Sequence, residues 1–263
     1  MRHSAVAAVC LLLLALNAVP GRPWLLLGNR DEFHARPTAP AQQWSDAPGV
    51  FGGRDLAAGG SWLAVHRNGR YAAVTNVRRP EAPTAPRSRG ALVGEFVAGR
   101  APAVDYAAAV ARERAAYAPF NLVVGDASGA HFVSSIDGAV RRLDDGVHAF
   151  SNGSPGDEWP KMRRLHEQFS RLLRSGKVED GAFLDLLHDD ARPDDADLPD
   201  TGIGLDLERR LASIFVMPTS VRGEAYGTRA STLAYARGGG GFALRERRYD
   251  AHARAPAESA IDF

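Results

Sequence analysis

Residues 9 to 33, VCLLLLALNAVPGRPWLLLGNRDEF, constrain this chain more than any other stretch. An apolar run opening at Cys10 enters the turn signal PGRP and emerges into a second apolar run, WLLLG, which is the pattern of a β-hairpin. The same region has the outline of a secretory signal: Arg2 and His3, an apolar stretch of suitable length, then small residues. Cleavage near Ala18 would delete one arm of the hairpin, and in a lipoprotein signal the apolar run would precede the cysteine instead of following it. No run reaches the roughly eighteen uninterrupted apolar residues of a membrane span, so stable membrane insertion is not expected. The stretch reads as a first hairpin in a cytoplasmic protein, with export as the alternative if the apolar run is a real signal.

The chain has 263 residues, of which 45% are hydrophobic and 24% charged, a size and balance suited to one domain with a substantial core. Its 32 basic and 31 acidic residues leave a net charge of +1, so electrostatics give no case for a nucleic acid or an anionic membrane as partner. Cys10 is the only cysteine, which excludes an intramolecular disulfide and leaves two roles for it, inert core residue or nucleophile. Lys161 and Lys177 are the only lysines; the basic charge is otherwise arginine, a bias that suggests a GC-rich coding sequence.

Trp62 to Val65 and Tyr71 to Thr75 flank the turn RNGR and predict a second hairpin. A Pro-rich loop, PEAPTAPRSRG, precedes two helices, Ala91 to Ala98 and Ala103 to Ala116. NLVVGD, AHFVSSIDG, AVRRLDDG and VHAFSNG read as four short strands in a meander. Met162, Leu165, Phe169, Leu172 and Leu173 recur at the spacing of one helix face over residues 159 to 175. A helix in EDGAFLDLLHDD and an acidic loop follow, then strands in SIFVM, GTRASTLAYAR and FALRERRYD. Strands joined by hairpins on either side of a helical middle point to an α+β fold with antiparallel sheets.

The eight histidines form neither H-x-H nor H-E-x-x-H, so no metal site is expected. There is no P-loop, no G-x-S-x-G elbow and no dinucleotide fingerprint. What remains is Cys10, the tetrad Asn29, Arg30, Asp31 and Glu32, and the polar residues Asn76, Asn152 and Arg229 at the ends of apolar strands. Singly, the asparagines could be turn formers and Arg30 and Asp31 a structural ion pair.

The set resembles the NRDE family, also called the Transport and Golgi organisation 2 family. GNRDEF carries its four naming residues, and GRDLAAGGSW, VTNVR, SRGALVGEF, FNLVVGD, SNGSPGDEWPKM and YGTRASTL look like its later blocks in order, from about residue 10 to about residue 235. The resemblance implies an N-terminal nucleophile (Ntn) hydrolase-like fold, a four-layer αββα sandwich of two antiparallel sheets between helices. Family members usually begin Met-Cys. Val9 is a plausible GTG start codon, so residues 1 to 9 are expected to be a mis-annotated extension ahead of one domain at 10–263.

A thiolate needs a base, because a free cysteine near pKa ~8.5 is mostly protonated at neutral pH. An α-amino group of pKa about 7.7–8.0 on the same residue suits that task. Asp31, returned by the hairpin beside Cys10, could orient that amine, whereas Arg30 alternates to the other face of a regular strand and needs a bulge or turn to join it. By analogy with the choloylglycine hydrolase and penicillin V acylase group, Asn76 and Asn152 would donate to an oxyanion and Arg229 would hold the nucleophile. The reaction implied is hydrolysis of a linear amide or related acyl bond through an acyl-thioester, with no cofactor. The alternative is a non-catalytic carrier of haem or a lipid or acyl ligand. Substrate, ligand and oligomeric state are not legible in the sequence.

Overall fold

The computed structural model describes residues 10–80, 85–176, 178–254 and 257–263, and the expectation about residues 1 to 9 lies outside them. The chain opens with strands β1 (Cys10–Val19), β2 (Arg22–Phe33), β3 (Thr38–Gln43), β4 (Val50–Asp55), β5 (Leu63–His66) and β6 (Tyr71–Asn76). Helices α1 (Arg89–Ala98) and α2 (Ala103–Arg112) precede β7 (Phe120–Asp126), β8 (Gly129–Ser134), β9 (Val140–Leu143) and β10 (Gly146–Phe150). Then come α3 (Pro160–Arg174), α4 (Asp180–Leu186), α5 (Leu205–Arg210), β11 (Thr219–Val221), β12 (Glu224–Ala236), β13 (Phe242–Arg248) and β14 (Ala257–Asp262).

One antiparallel sheet runs β10-β1-β2-β12-β13-β14, with β11 on β12, and the other runs β3 through β9 in sequence order. The hairpin read from PGRP forms as expected: Leu16 faces Trp24 and Leu12 faces Gly28 across the ladder. Gly21 takes φ 71° in its turn, a left-handed conformation that favours glycine. Both arms are apolar on both faces for a physical reason. Leu12, Leu14 and Leu16 pack between the sheets with Phe51, Val65 and Phe132, while Leu11, Leu13 and Ala15 pack on Leu165 and Phe169 of α3 and Phe183 of α4. On the far side of the second sheet, Leu92 and Phe96 of α1 and Ala107 of α2 pack on Leu122 and Val124. The layers are therefore αββα, and the fold is α+β as expected.

Three details differ from the sequence reading. The four short strands do not form one meander: β7, β8 and β9 stay together, but β10 crosses to the other sheet and pairs with β1. This covers the edge of a strand that is apolar on both faces and would otherwise lie open. SIFVM is irregular, its backbone satisfied instead by Asp189 and Thr228, since the Phe215 amide donates to the Asp189 carbonyl at 2.8 Å and the Val216 amide to Thr228 Oγ1 at 2.8 Å. The strands β3, β4 and β14 and the helix α5 carry too little periodicity to be read from sequence.

Candidate active site

Cys10 is the first residue of β1, buried, and directly opposite Arg30 of β2. Directly opposed residues leave their strands on the same face, so thiol and guanidinium are neighbours with no bulge in β2. Arg30 and Asp31 alternate as a regular strand requires: Arg30 shares the face of Cys10, and Asp31, one residue on, turns toward the helical layer. A register shift does occur nearby, in β12. Thr228 pairs with Asp31 and Ala230 with Arg30, leaving Arg229 as the extra residue.

Arg30 is held by its surroundings: Nη1 donates to Thr38 Oγ1 at 3.4 Å, Nη2 lies 3.6 Å from Glu32 Oε2, and the guanidinium sits 4.6 Å from the Trp62 ring centroid. Asp31 is fully buried. Its Oδ1 accepts from Thr228 Oγ1 at 2.6 Å, while Oδ2 has no hydrogen-bond partner among the described residues. Burial pushes the Asp31 carboxyl above the usual carboxylate range, opposed by the nearby charge of Lys161. Burial, and then the Asp31 carboxylate, push the Cys10 thiol up to about 12, opposed by Arg30 and by the Asp31 backbone amide. In this environment the thiol is protonated at neutral pH, so nucleophilic use of it requires a base at hand.

Asn152 and Asn76 meet at the same end of the sandwich. Asn152 Nδ2 donates to the Asn76 carbonyl at 2.7 Å, and the Arg78 amide donates to the Asn152 carbonyl at 2.7 Å. Between them and the cysteine, Ser151 Oγ donates to the Cys10 carbonyl at 3.2 Å, and Thr75 Oγ1 and Asn121 Nδ2 donate to the Ser151 carbonyl. The segment after β10 thereby ties the ends of β6 and β7 in one sheet to the start of β1 in the other.

Two candidates are placed elsewhere. Arg229 is not brought to the thiol: its Nη1 donates to the carbonyls of Phe33 and Arg36 and to Thr38 Oγ1, fastening the loop after β2. Arg229 and Arg30 both donate to Thr38 Oγ1. Asn29 lies in mid-strand, not in a turn. Its Nδ2 donates to the carbonyls of Leu187 and Ile214 and its Oδ1 accepts from Ser231, so it locks the helical layer onto the sheet.

Several groups at the site were not singled out from sequence. Lys161 is buried in the first turn of α3, and burial with the nearby Arg78 charge pushes its amine well below the usual lysine range. Arg78 pairs with the buried Glu208 of α5 and stacks 4.7 Å from the Trp159 ring centroid. Burial lowers the guanidinium of Arg89 of α1 to about 10, an effect that a Cys10 thiolate would oppose. Arg78, Arg89 and Lys161 lie in the blocks VTNVR, SRGALVGEF and SNGSPGDEWPKM, and Lys161 is also one of two lysines in an arginine-rich chain. A cavity of about 520 Å³ adjoins Ser151 and Asn121; Phe132, Phe150 and Leu143 line it, Phe132 and Phe150 stacked 4.9 Å apart, with Arg141 and His166 also on its walls.

The sequence profile of Transport and Golgi organisation 2 matches residues 9–251. The chain belongs to this family. Within the Transport and Golgi organisation 2 family it is 29% identical over 236 residues to the Bos taurus protein, the Transport and Golgi organization protein 2 homolog, covering 85% of each chain. It is 28% identical to the Homo sapiens homolog over the same length and share. Among solved structures it is similar to a mutant of the conjugated bile acid hydrolase from Clostridium perfringens, with a TM-score of 0.54, 12% identity, and coverage of 97% of this chain and 92% of that one. This family member therefore has the Ntn hydrolase-like fold, with the buried cysteine opening its first strand. Among the described residues, no helix is long and apolar enough to cross a membrane.

Proposed function

We propose that this protein is a cysteine-dependent hydrolase that cleaves a linear amide or related acyl bond through an acyl-thioester. The reading rests on one observation: the sole thiol of the chain begins the buried strand β1 opposite Arg30 and beside the buried Asp31, where the ends of both sheets meet. On this reading the functional chain starts at Cys10, and residues 1 to 9 are absent from it. The Cys10 amine takes the thiol proton, and the thiolate forms a bond to the acyl carbon. The amine then gives that proton to the leaving nitrogen as the carbon–nitrogen bond breaks. Water, deprotonated by the same amine, attacks the thioester; the carbon–sulfur bond breaks, the carboxylic acid leaves, and the leaving thiolate takes the proton back from the amine.

Asp31 orients the amine, Arg30 stabilises the thiolate, and Asn76 and Asn152 serve the oxyanion. Arg229 acts at one remove, by holding the loop against which Arg30 is set. The hydrolase fold of the bile acid enzyme supports this reading, and the cavity beside Ser151, with Phe132, Leu143 and Phe150 on its walls, gives room for the acyl body. That cavity also favours a second reading, carriage of haem or an acyl lipid without chemistry. An acyl-type activity probe applied to the chain starting at Cys10, with the adduct mapped by peptide mass spectrometry, separates the two. Labelling of Cys10 that is lost on Asp31→Asn supports the hydrolase. No labelling beside stoichiometric haem uptake supports the carrier.

A further inference from the structure

Arg78 and Glu208 stand 130 residues apart in the chain and form an ion pair that the fold buries almost completely, their side chains 4% and 3% exposed. Arg78 Nη1 donates to Glu208 Oε2, and the other carboxylate oxygen, Oε1, accepts from the Thr201 amide at 2.9 Å and from Thr201 Oγ1 at 2.6 Å. Glu208 is therefore held on both oxygens, and Leu207 and Leu211 on either side of it pack with Val216 and Tyr226. Arg78 is less well served. Its guanidinium lies 4.7 Å from the Trp159 ring centroid, but Nε and Nη2 are buried without a hydrogen-bond partner among the described residues. Taking two ions out of water is repaid only when the remaining donors and lone pairs are also met, so stability alone gives little reason for this pair.

What the pair holds is a short piece of backbone. Arg78 follows β6, and its amide donates to the Asn152 carbonyl at 2.7 Å; two residues earlier, the Asn76 carbonyl accepts from Asn152 Nδ2 at 2.7 Å. Asn152 is thus gripped at its main chain and at its side chain by one three-residue segment, and the last side chain of that segment is anchored on α5. We infer that Arg78 and Glu208 are positioning residues: the buried pair fixes residues 76 to 78 on α5, and through them sets where the Asn152 carboxamide points. This rests on the oxyanion role proposed for Asn76 and Asn152. A donor serves an oxyanion only within about 2.7–3.1 Å of it, so a small displacement of the segment removes most of the benefit. An apolar pair of the same bulk would fill the space, but it carries no directional bond and would let the segment shift.

The test uses the chain starting at Cys10 and a double variant, Arg78→Met with Glu208→Leu, which removes both charges at similar volume, an exchange that buried pairs often tolerate. With p-nitrophenyl butyrate as acyl donor, the burst of nitrophenolate reports acylation of Cys10. The burst rate at saturation is expected to fall by about tenfold to a hundredfold while half-saturation stays unchanged, because the cavity walls are intact. Glu208→Asp, which keeps the charge one methylene short, should lower the rate by a smaller factor. A folded double variant that acylates at the wild-type rate makes the pair merely structural and overturns the inference. Should the double variant not fold, wild-type acylation by Glu208→Asp overturns it equally. A second readout needs no acylation. In the chain labelled with ¹⁵N only at asparagine, the Asn152 carboxamide signal, assigned by Asn152→Asp, is expected to shift in these variants, while that of Asn29, held by Leu187, Ile214 and Ser231, stays in place. An unmoved Asn152 signal overturns the inference. A wild-type chain that gives no burst, beside variants in which the Asn152 signal moves, would overturn the hydrolase reading and support the pair.

Discussion

Arg30 stands directly across the β1–β2 ladder from Cys10, so the only thiol of the chain faces a buried guanidinium on its own side of the sheet. The Asp31 carboxylate raises the thiol pKa and Arg30 lowers it, and burial outweighs both. The two neighbours therefore act on the thiol in opposite directions, within a shift set mainly by burial.

Removing the cation should make the thiol less acidic still. Arg30→Met is expected to slow alkylation of Cys10 by iodoacetamide at pH 8 by about tenfold, the effect of one pKa unit. Cys10 is the only thiol of the chain, so loss of titratable thiol is a sufficient measurement. An unchanged rate in a folded variant would remove Arg30 from the electrostatics of the site.

Glu246 of β13 gives a pH dependence that is independent of the cysteine. It is buried, its Oε1 accepts from the Ala41 amide at 2.8 Å, and desolvation raises its carboxyl to about 7 from an ordinary 4.5. A carboxyl with a raised folded pKa binds its proton more tightly when folded. Its contribution is present below about pH 4.5 and is lost as pH rises through about 7. The loss should approach about 3 kcal/mol by pH 8, which Glu246→Gln should abolish in urea unfolding curves recorded at pH 5 and pH 8. Parallel curves for both proteins would refute the assignment.

Arg229 is expected to act on stability first. Its side chain fastens Phe33, Arg36 and Thr38, so Arg229→Ala should destabilise the fold by about 1–3 kcal/mol and lower Tm. Differential scanning calorimetry measures this directly. A Tm equal to wild type with slowed Cys10 alkylation would instead place Arg229 at the thiol.

Gly60 and Gly90 are in backbone contact: a Cβ at Gly60 would lie 2.2 Å from the Gly90 carbonyl carbon, and the Ser61 amide donates to the Gly90 carbonyl at 3.2 Å. Gly60→Ala must push the segment before β5 away from α1 and should cost about 1–3 kcal/mol or more in chemical denaturation. Gly239→Ala, where a Cβ meets nothing within 4 Å, is the matched control and should change stability little.

How much of this was legible in advance follows from the range of each interaction. The first hairpin, its register and the helix face of α3 come from local alternation and turn chemistry, which act over a few residues. Those rules carried Cys10, Arg30 and Asp31 to one end of two adjacent strands. They failed on SIFVM, an apolar run that suits a strand, because its backbone bonds are taken by Asp189 and Thr228 instead of a neighbouring strand.

The sequence by itself determined the antiparallel α+β character, the pairing of β1 with β2 and the candidacy of its single thiol. Only the tertiary structure decided that β10 leaves its meander to cover β1, that Gly60 meets Gly90, that Arg229 serves a loop, and that Lys161 is buried with its amine on the Leu211 carbonyl. Each of those joins residues far apart in the chain, so its energy depends on burial and on which polar groups are left without water. Neither quantity exists until the layers have packed.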